Sequence, residues 1–169
     1  GFVTGIGGGT LRDMLLARGE VFWALDPAYF VICAAASAAT FFAAERFAAR
    51  RRLLIWSDAL GLALFCVIGA GIAWDMGSRP LVAILMGALT ATGGGVIRDI
   101  IRNELPMVLH REIYVTAALG GASAYIGLKA WGAPTPAPMI GGMLTAFGLR
   151  AAGILMDWHL PSFKPKPML

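Results

Sequence analysis

A glycine triplet followed by an Arg-Asp dipeptide occurs twice in the 169-residue chain. Residues 4–13 read TGIGGGTLRD, and residues 90–99, at an offset of 86, read TATGGGVIRD. Carbonyl groups of exposed glycine backbone can replace part of a cation's hydration shell, and the arginine and aspartate side chains can form ion pairs beside such a site. The chemistry that this sequence offers is therefore ion coordination, provided that other elements hold the two segments together.

Those elements are predicted to be transmembrane helices. Apolar residues make up 58% of the chain and charged residues only 14%, whereas an average soluble domain carries about 25% charge. Six apolar stretches approach the length of a bilayer span, about 20 residues. Because the first stretch begins in mid-run without a methionine, we expect the natural start of the protein to precede Gly1. The predicted spans A to F are residues 1–16, 28–44, 53–74, 81–97, 113–128 and 139–156.

The repeat extends beyond the motif, since Asp26 before span B matches Glu112 before span E at the same offset. The repeating unit is then three helices long, and an odd number of spans inverts the second copy. The counterpart of span C would precede this chain. We expect an all-α membrane protein with two inverted three-helix repeats and a seventh helix, its first helix absent here. The expected boundaries are a single transmembrane domain 1–169, with the rest of the first repeat at 1–50, the second repeat at 53–131, the seventh helix at 137–158 and a tail at 159–169.

Basic residues predict the orientation. The connections on one side of the membrane carry Arg18, Arg79 and Lys129. The other side, which includes the tail, is richer in basic residues and is predicted to be cytoplasmic. The side chains of Arg50, Arg51 and Arg52 are candidates for contact with anionic lipid headgroups, and nothing suggests a nucleic-acid surface. The cytoplasmic set is Arg46, Arg50, Arg51, Arg52, Arg102, Arg111, Lys164 and Lys166.

Three consecutive glycines weaken a helix, because each costs about 1 kcal/mol relative to alanine. A break is tolerated at membrane depth only where the freed backbone faces protein or a water-filled cavity. We therefore expect an ion pathway at helix breaks, with Asp13 and Asp99 in the first turns of the half-helices that follow. The alternative is close packing of small residues, which is also the interpretation of the glycines in spans E and F. The predicted pathway residues are Thr4, Gly7, Gly8, Gly9, Thr90, Gly93, Gly94 and Gly95.

An arginine beside a cation pathway requires a partner. The inverted repeat suggests crossed pairs, Arg12 with Asp99 and Arg98 with Asp13, which would act as a gate. Alternatively, each arginine anchors its own helix independently. Arg150 interrupts span F at mid-depth and is expected to face the bundle or a cavity, in a gating or structural role.

Other polar residues suggest no catalysis. Asp58 is interpreted as a helix-cap carboxylate. His110 and His159 lack the clustering of a metal site, and no catalytic triad or βαβ phosphate loop accompanies the glycines. We expect a non-enzyme without metal or cofactor.

The twin motifs, the inverted three-helix repeats and the trailing seventh helix resemble the prokaryotic trimeric intracellular cation (TRIC) channels, which share their sequence family with bacterial glycine-transporter proteins. The resemblance covers residues 1 to about 158. It implies a homotrimer in a prokaryotic inner membrane, with one pathway in each subunit for potassium, sodium and other monovalent cations. The alternative is a secondary transporter of glycine or another small solute, since half-helix amino termini could hold a substrate carboxylate.

Overall fold

The structure, a computed structural model, describes residues 2–42, 51–103 and 112–156. Every regular element in these ranges is an α-helix, which confirms the all-α class. In chain order the helices are α1 (Phe2–Leu15), α2 (Phe22–Leu25), α3 (Pro27–Phe42), α4 (Arg51–Asp75), α5 (Pro80–Ile101), α6 (Glu112–Ala130) and α7 (Ala137–Leu155).

Each predicted span coincides with one of the longer helices, and among the helices of the described ranges the four-residue α2 alone was not predicted. A single helical turn contributes too few residues to produce a visible hydrophobic period. Among the described residues, three helical segments are long and apolar enough to cross a membrane, namely Ile55–Asp75, Pro80–Ile101 and Ala137–Leu155, and Pro27–Thr40 is a shorter apolar helix.

Several helices end in a residue with a left-handed backbone conformation. Gly77 follows α4 with a φ of +79°, and Gly132 follows α6 with the same value. Ala17 follows α1 at +49°, where its N–H bonds to the carbonyl of Met14 at 3.1 Å. Such C-terminal turns satisfy helix carbonyls internally, so the chain can reverse direction in a short connection.

The main core lies among α4, α5, α6 and α7, which meet through small residues. Gly121 of α6 and Gly142 of α7 form one such contact, since a Cβ added to either would lie 2.8 or 2.9 Å from the other's carbonyl oxygen. This confirms the packing interpretation for these two glycines. By contrast, an added Cβ at Gly148 would meet open space. Fully buried core side chains include Ala59, Cys66, Ala70, Ala83, Ala117, Ala122 and Ala146.

Helices α1 and α5, which carry the two motifs, cross each other at the glycine triplets. A Cβ added at Gly8 would overlap the carbonyl oxygen of Thr90, and one added at Gly94 would overlap that of Thr4. These two contacts are related by the offset of 86 residues in both partners. Because the early residue of α1 meets the late residue of α5, and the reverse, the helices run antiparallel, as the inverted repeat predicts.

The predicted helix breaks at the glycine triplets are wrong. Both α1 and α5 continue through their glycines without interruption. The glycines instead allow two backbones to touch, and each helix covers the exposed backbone of the other where side chains would otherwise do so. A break there would leave amides and carbonyls without partners, which is costly in an apolar surrounding.

The neighbouring glycines Gly94 and Gly95 provide a matched test of this packing. Gly94→Ala should lower the free energy of unfolding by about 1–3 kcal/mol, because its methyl group collides with the α1 backbone. Gly95→Ala should be neutral or stabilising, since the nearest atom to its added Cβ, Arg98 Nη2, is 4.0 Å away and alanine favours helix. The measurement is the thermal unfolding of the purified protein in detergent. Equal midpoints for the two variants would contradict the crossing.

Candidate functional site

The two Arg-Asp dipeptides form local ion pairs. Arg12 donates to Asp13 Oδ1 from Nε at 2.8 Å and from Nη2 at 2.7 Å. Arg98 donates from Nε to Asp99 Oδ1 at 2.8 Å. The predicted crossed pairs, Arg12 with Asp99 and Arg98 with Asp13, are therefore wrong.

The antiparallel crossing explains this outcome. Both dipeptides lie in the last turns of their helices, so the crossing places them at opposite ends of the contact. Residue 12 lies level with a part of α5 about ten residues before Asp99, which corresponds to roughly 15 Å along the helix axis. A side-chain pair cannot span that distance, so each arginine takes the carboxylate that follows it.

Asp13 was predicted in the first turn of a half-helix, but it lies near the carboxyl end of α1, where the helix dipole disfavours a negative charge. Its surroundings supply the compensation. Besides Arg12, it lies 3.5 Å from Arg18 Nη1, and its Oδ2 accepts the backbone N–H of Phe22 at 2.9 Å. The Asp13 residue is only 2% exposed, so this carboxylate is fully committed within the protein.

The dipeptide of α5 lies near a second polar cluster. Asp58 interacts electrostatically with Arg98 and accepts a hydrogen bond from the Tyr114 hydroxyl at 3.3 Å. The guanidinium of Arg150 lies 5.0 Å from the centre of the Tyr114 ring and is buried, which confirms that Arg150 faces the bundle. The helix-cap interpretation of Asp58 is wrong, because α4 begins at Arg51, two turns earlier.

The short helix α2 is attached to α1 by aromatic contacts that sequence reasoning missed. The Phe22 ring lies against Gly9, where an added Cβ would be 2.6 Å from Cε1, and the Arg12 guanidinium lies 5.9 Å from the ring centre. Trp23 Nε1 donates to Thr10 Oγ1 at 3.0 Å. The absence of a side chain at Gly9 is the sequence signal that an aromatic ring packs there.

A cavity of about 500 Å³ lies beside the crossing, between α1, α2, α3, α4 and α5. Its lining includes Thr90, at the crossing, and Arg18 and Asp26, in the connections before and after α2. Its walls combine bare backbone, aromatic rings and a few charged groups. The lining residues are Gly5, Gly9, Arg12, Arg18, Phe22, Leu25, Asp26, Tyr29, Cys33, Phe65, Ile68, Ile72 and Thr90.

Only part of the predicted pathway lines this cavity. Gly9 and Thr90 do so, as does the predicted pairing residue Arg12. The helix crossing contains Thr4, Gly7, Gly8, Gly93 and Gly94, whereas a Cβ added at Gly95 would meet no α1 atom within 4 Å. Asp26 was noted only as a repeat position, and its place in the cavity requires the fold of α2 against α1. Within the described residues, no group of three or more His, Cys, Asp or Glu side chains could hold a metal ion.

Some predictions fall on residues outside the described ranges. These are Arg46, Arg50, the connection 104–111 with His110 and Arg111, and the tail 159–169 with His159, Lys164 and Lys166, so the tail's cytoplasmic position stays a prediction. Arg51 begins α4, and Arg52 is exposed. Their contact with lipid headgroups also stays a prediction.

Comparison with known proteins places this arrangement in a family. The family model described as "Glycine transporter" matches residues 1–45 and 55–130. The UPF0126 inner membrane protein YadS of Escherichia coli K12 is 39% identical over 168 residues, which cover 96% of this chain and 80% of that protein.

Two solved structures share the fold. The TRIC trimeric intracellular cation channel orthologue from Rhodobacter sphaeroides is 48% identical, with a TM-score of 0.87 over 92% of this chain and 80% of that one. A second TRIC cation channel, solved to explain conductance, is 33% identical, with a TM-score of 0.92 over 99% of this chain and 82% of that one. The chain belongs to the TRIC family.

Family membership confirms the resemblance that the doubled motif indicated. The protein is an integral membrane protein of the prokaryotic inner-membrane type, as its relatives and its apolar helices show. In this TRIC protein the Arg-Asp pairs are local and not crossed, and the energetic coupling within a pair can be measured.

Asp13→Asn should lower the free energy of unfolding by about 3–5 kcal/mol, because it leaves the buried guanidinium of Arg12 without its carboxylate. Thermal unfolding in detergent of single and double variants measures the coupling. Arg12→Gln and Asp13→Asn should be strongly non-additive, with an interaction energy of about 0.5–3 kcal/mol.

The matched control combines Arg12→Gln with Asp99→Asn, whose effects should add. The exchanged variant with Arg12→Asp and Asp99→Arg should show no recovery of stability. A larger coupling between positions 12 and 99 than between 12 and 13 would refute the local pairs.

Proposed function

We propose that this protein is a monovalent-cation channel that assembles as a homotrimer, with one potassium-permeable pathway in each subunit. The observation that carries the proposal is the likeness to TRIC cation channels at 33–48% identity over almost the whole chain. That these relatives are channels also supports a non-enzymatic function, for which we propose no cofactor.

The pathway is assigned to the cavity beside α1. No ion can pass between α1 and α5 at the crossing, because glycine backbone there touches the carbonyl oxygens of Thr4 and Thr90. The cavity reaches the crossing at Thr90 and passes Gly5 and Gly9, which contribute no side chain of their own. An arginine at its wall is compatible with cations because Asp13 neutralises Arg12.

The intact helices constrain how an ion would pass. Carbonyl groups within α1 and α5 already accept hydrogen bonds from their own helices, so they cannot form a tight cage around a dehydrated ion. Cations therefore pass with most of their water. A pathway for hydrated ions discriminates only weakly between potassium and sodium.

The two cysteines offer a direct test of the pathway. Cys33 lines the cavity, whereas Cys66 is fully buried in the core. In planar bilayers with potassium chloride, the wild type should show discrete single-channel currents. A positively charged, membrane-impermeant methanethiosulfonate should reduce them by adding a fixed positive charge to the cavity.

Cys33→Ala should abolish that block, and Cys66→Ala should leave it intact. A block that survives Cys33→Ala would show that the reagent acts elsewhere. Currents that no thiol reagent affects, in a protein whose Cys33 is labelled, would place the pathway outside this cavity.

The trimer is tested by cross-linking. Large apolar side chains remain exposed on α3 and α7, among them Val31, Ile32, Ile140 and Leu144, and face lipid or another subunit. Chemical cross-linking in native membranes should produce monomer, dimer and trimer bands and nothing larger. A ladder that stops at the dimer would contradict the trimer and favour a transporter of another architecture.

The family model's description favours one second candidate, a transporter of glycine or another small solute. Purified protein in liposomes separates the two functions. Channel function predicts potassium currents that persist at fixed voltage without glycine. Exchange of labelled glycine across the liposome membrane, without any such current, would support the transporter instead.

A further inference from the structure

Asp26 lies between α2 and α3 and lines the cavity beside α1. Its backbone is extended, with φ −133° and ψ 99°, and α3 begins at the next residue, Pro27. Arg18 and Tyr29 line the same cavity. Arg18 and Asp26 belong to the connection between spans A and B, on the side predicted to be external.

Among the residues that line the cavity, Asp26 is the only acidic one. The nearby carboxylate of Asp13 is committed to Arg12, Arg18 and the N–H of Phe22. Asp26 has no such basic partner in the described part of the chain. Its Oδ1 accepts the backbone N–H of Ala28 at 2.9 Å, and its side chain is exposed.

The local charge balance makes this carboxylate important. Asp13 lies 2.7 Å from Arg12 and 3.5 Å from Arg18, so one carboxylate is shared by two guanidinium groups. Without Asp26 the charged groups that line the cavity, together with Asp13, would carry a net positive charge and repel cations. With Asp26 the four charges sum to zero, and of the two carboxylates Asp13 is buried whereas Asp26 is exposed.

We infer that Asp26 determines cation entry in this protein, by providing the fixed negative charge that concentrates monovalent cations in the cavity. The inference rests on the proposed channel function and goes further by assigning cation attraction to one residue. A single charge about 6–10 Å from an ion in water changes the local ion concentration by about two- to threefold. The effect is screened at high salt, where the Debye length falls to about 3 Å.

Asp26 also caps α3 through its bond to Ala28, so a loss of activity alone would not prove an electrostatic role. Asp26→Asn separates the two roles, because asparagine caps helices as well as aspartate does but carries no charge. Asp26→Glu keeps the charge. Glu20→Gln is the matched control, since Glu20 is an exposed acid in the same connection that does not line the cavity.

Single-channel conductance is measured for these variants in planar bilayers at about 20 mM and about 1 M KCl. We expect Asp26→Asn to reduce conductance about two- to threefold at low salt and to match the wild type at high salt. Asp26→Glu and Glu20→Gln should stay close to the wild type at both concentrations. Thermal unfolding of Asp26→Asn should be unchanged, because the cap is preserved.

Other outcomes would overturn the inference. An equal reduction at both salt concentrations indicates a structural role for Asp26, and an equal effect of Glu20→Gln indicates a diffuse surface potential. A wild type that conducts and an Asp26→Asn variant that does not differ from it refute this inference alone. A wild type without any conductance refutes the proposed channel function itself, together with the role of Asp26.

Discussion

The contact between the backbones of α1 and α5 determines where everything else in this protein can lie. At Gly8 and Gly94 no side chain separates the helices, and the carbonyl groups of Thr90 and Thr4 occupy the space that a methyl group would need. Helices in lipid gain little from burying apolar surface, so close packing is the main contribution to their association. Because the contact is two-fold related, each such interaction occurs twice, once at Gly8 and once at Gly94. A substitution at one of these glycines therefore also weakens the contact at the other.

The crossing also determines the arrangement of charge. Antiparallel helices that meet at their glycine triplets must hold the following Arg-Asp dipeptides apart, at opposite ends of the contact. Each guanidinium is then neutralised by the next residue in the chain, a pairing that requires no other helix to be in place. Arg12 can consequently lie at the wall of the cavity without repelling cations there. The ion pairs are secondary to the crossing and do not create it.

The sequence contained the elements of this fold, and it left open how they meet. The length of the apolar stretches located the spans of α1 and α3 to α7, and the repeat offset of 86 residues predicted that α1 and α5 run antiparallel. Both signals can be read directly along the sequence, without knowledge of which helices meet. A broken helix and a tight helix crossing both require glycine, so the triplets could not distinguish between them. The decisive partner, the carbonyl of Thr90, belongs to the backbone and has no sequence signature. The sequence did not predict that Phe22, Asp26 and Cys33 line a cavity, for a similar reason, since their place there follows from a single-turn helix folded against Gly9.

An intact helix crossing implies a particular kind of ion selectivity. Channels that strip water from an ion need unpaired carbonyl groups at fixed positions, and neither α1 nor α5 has them at its glycines. What remains to act on a hydrated ion is the field of charged side chains, which distinguishes cations from anions far better than potassium from sodium. Around the cavity Asp13 offsets only part of that field, because Arg12 and Arg18 share its single carboxylate. Whether such a pathway admits cations or anions then depends on the few carboxylates that no arginine neutralises. These carboxylates belong to the helix connections, outside the repeated motif.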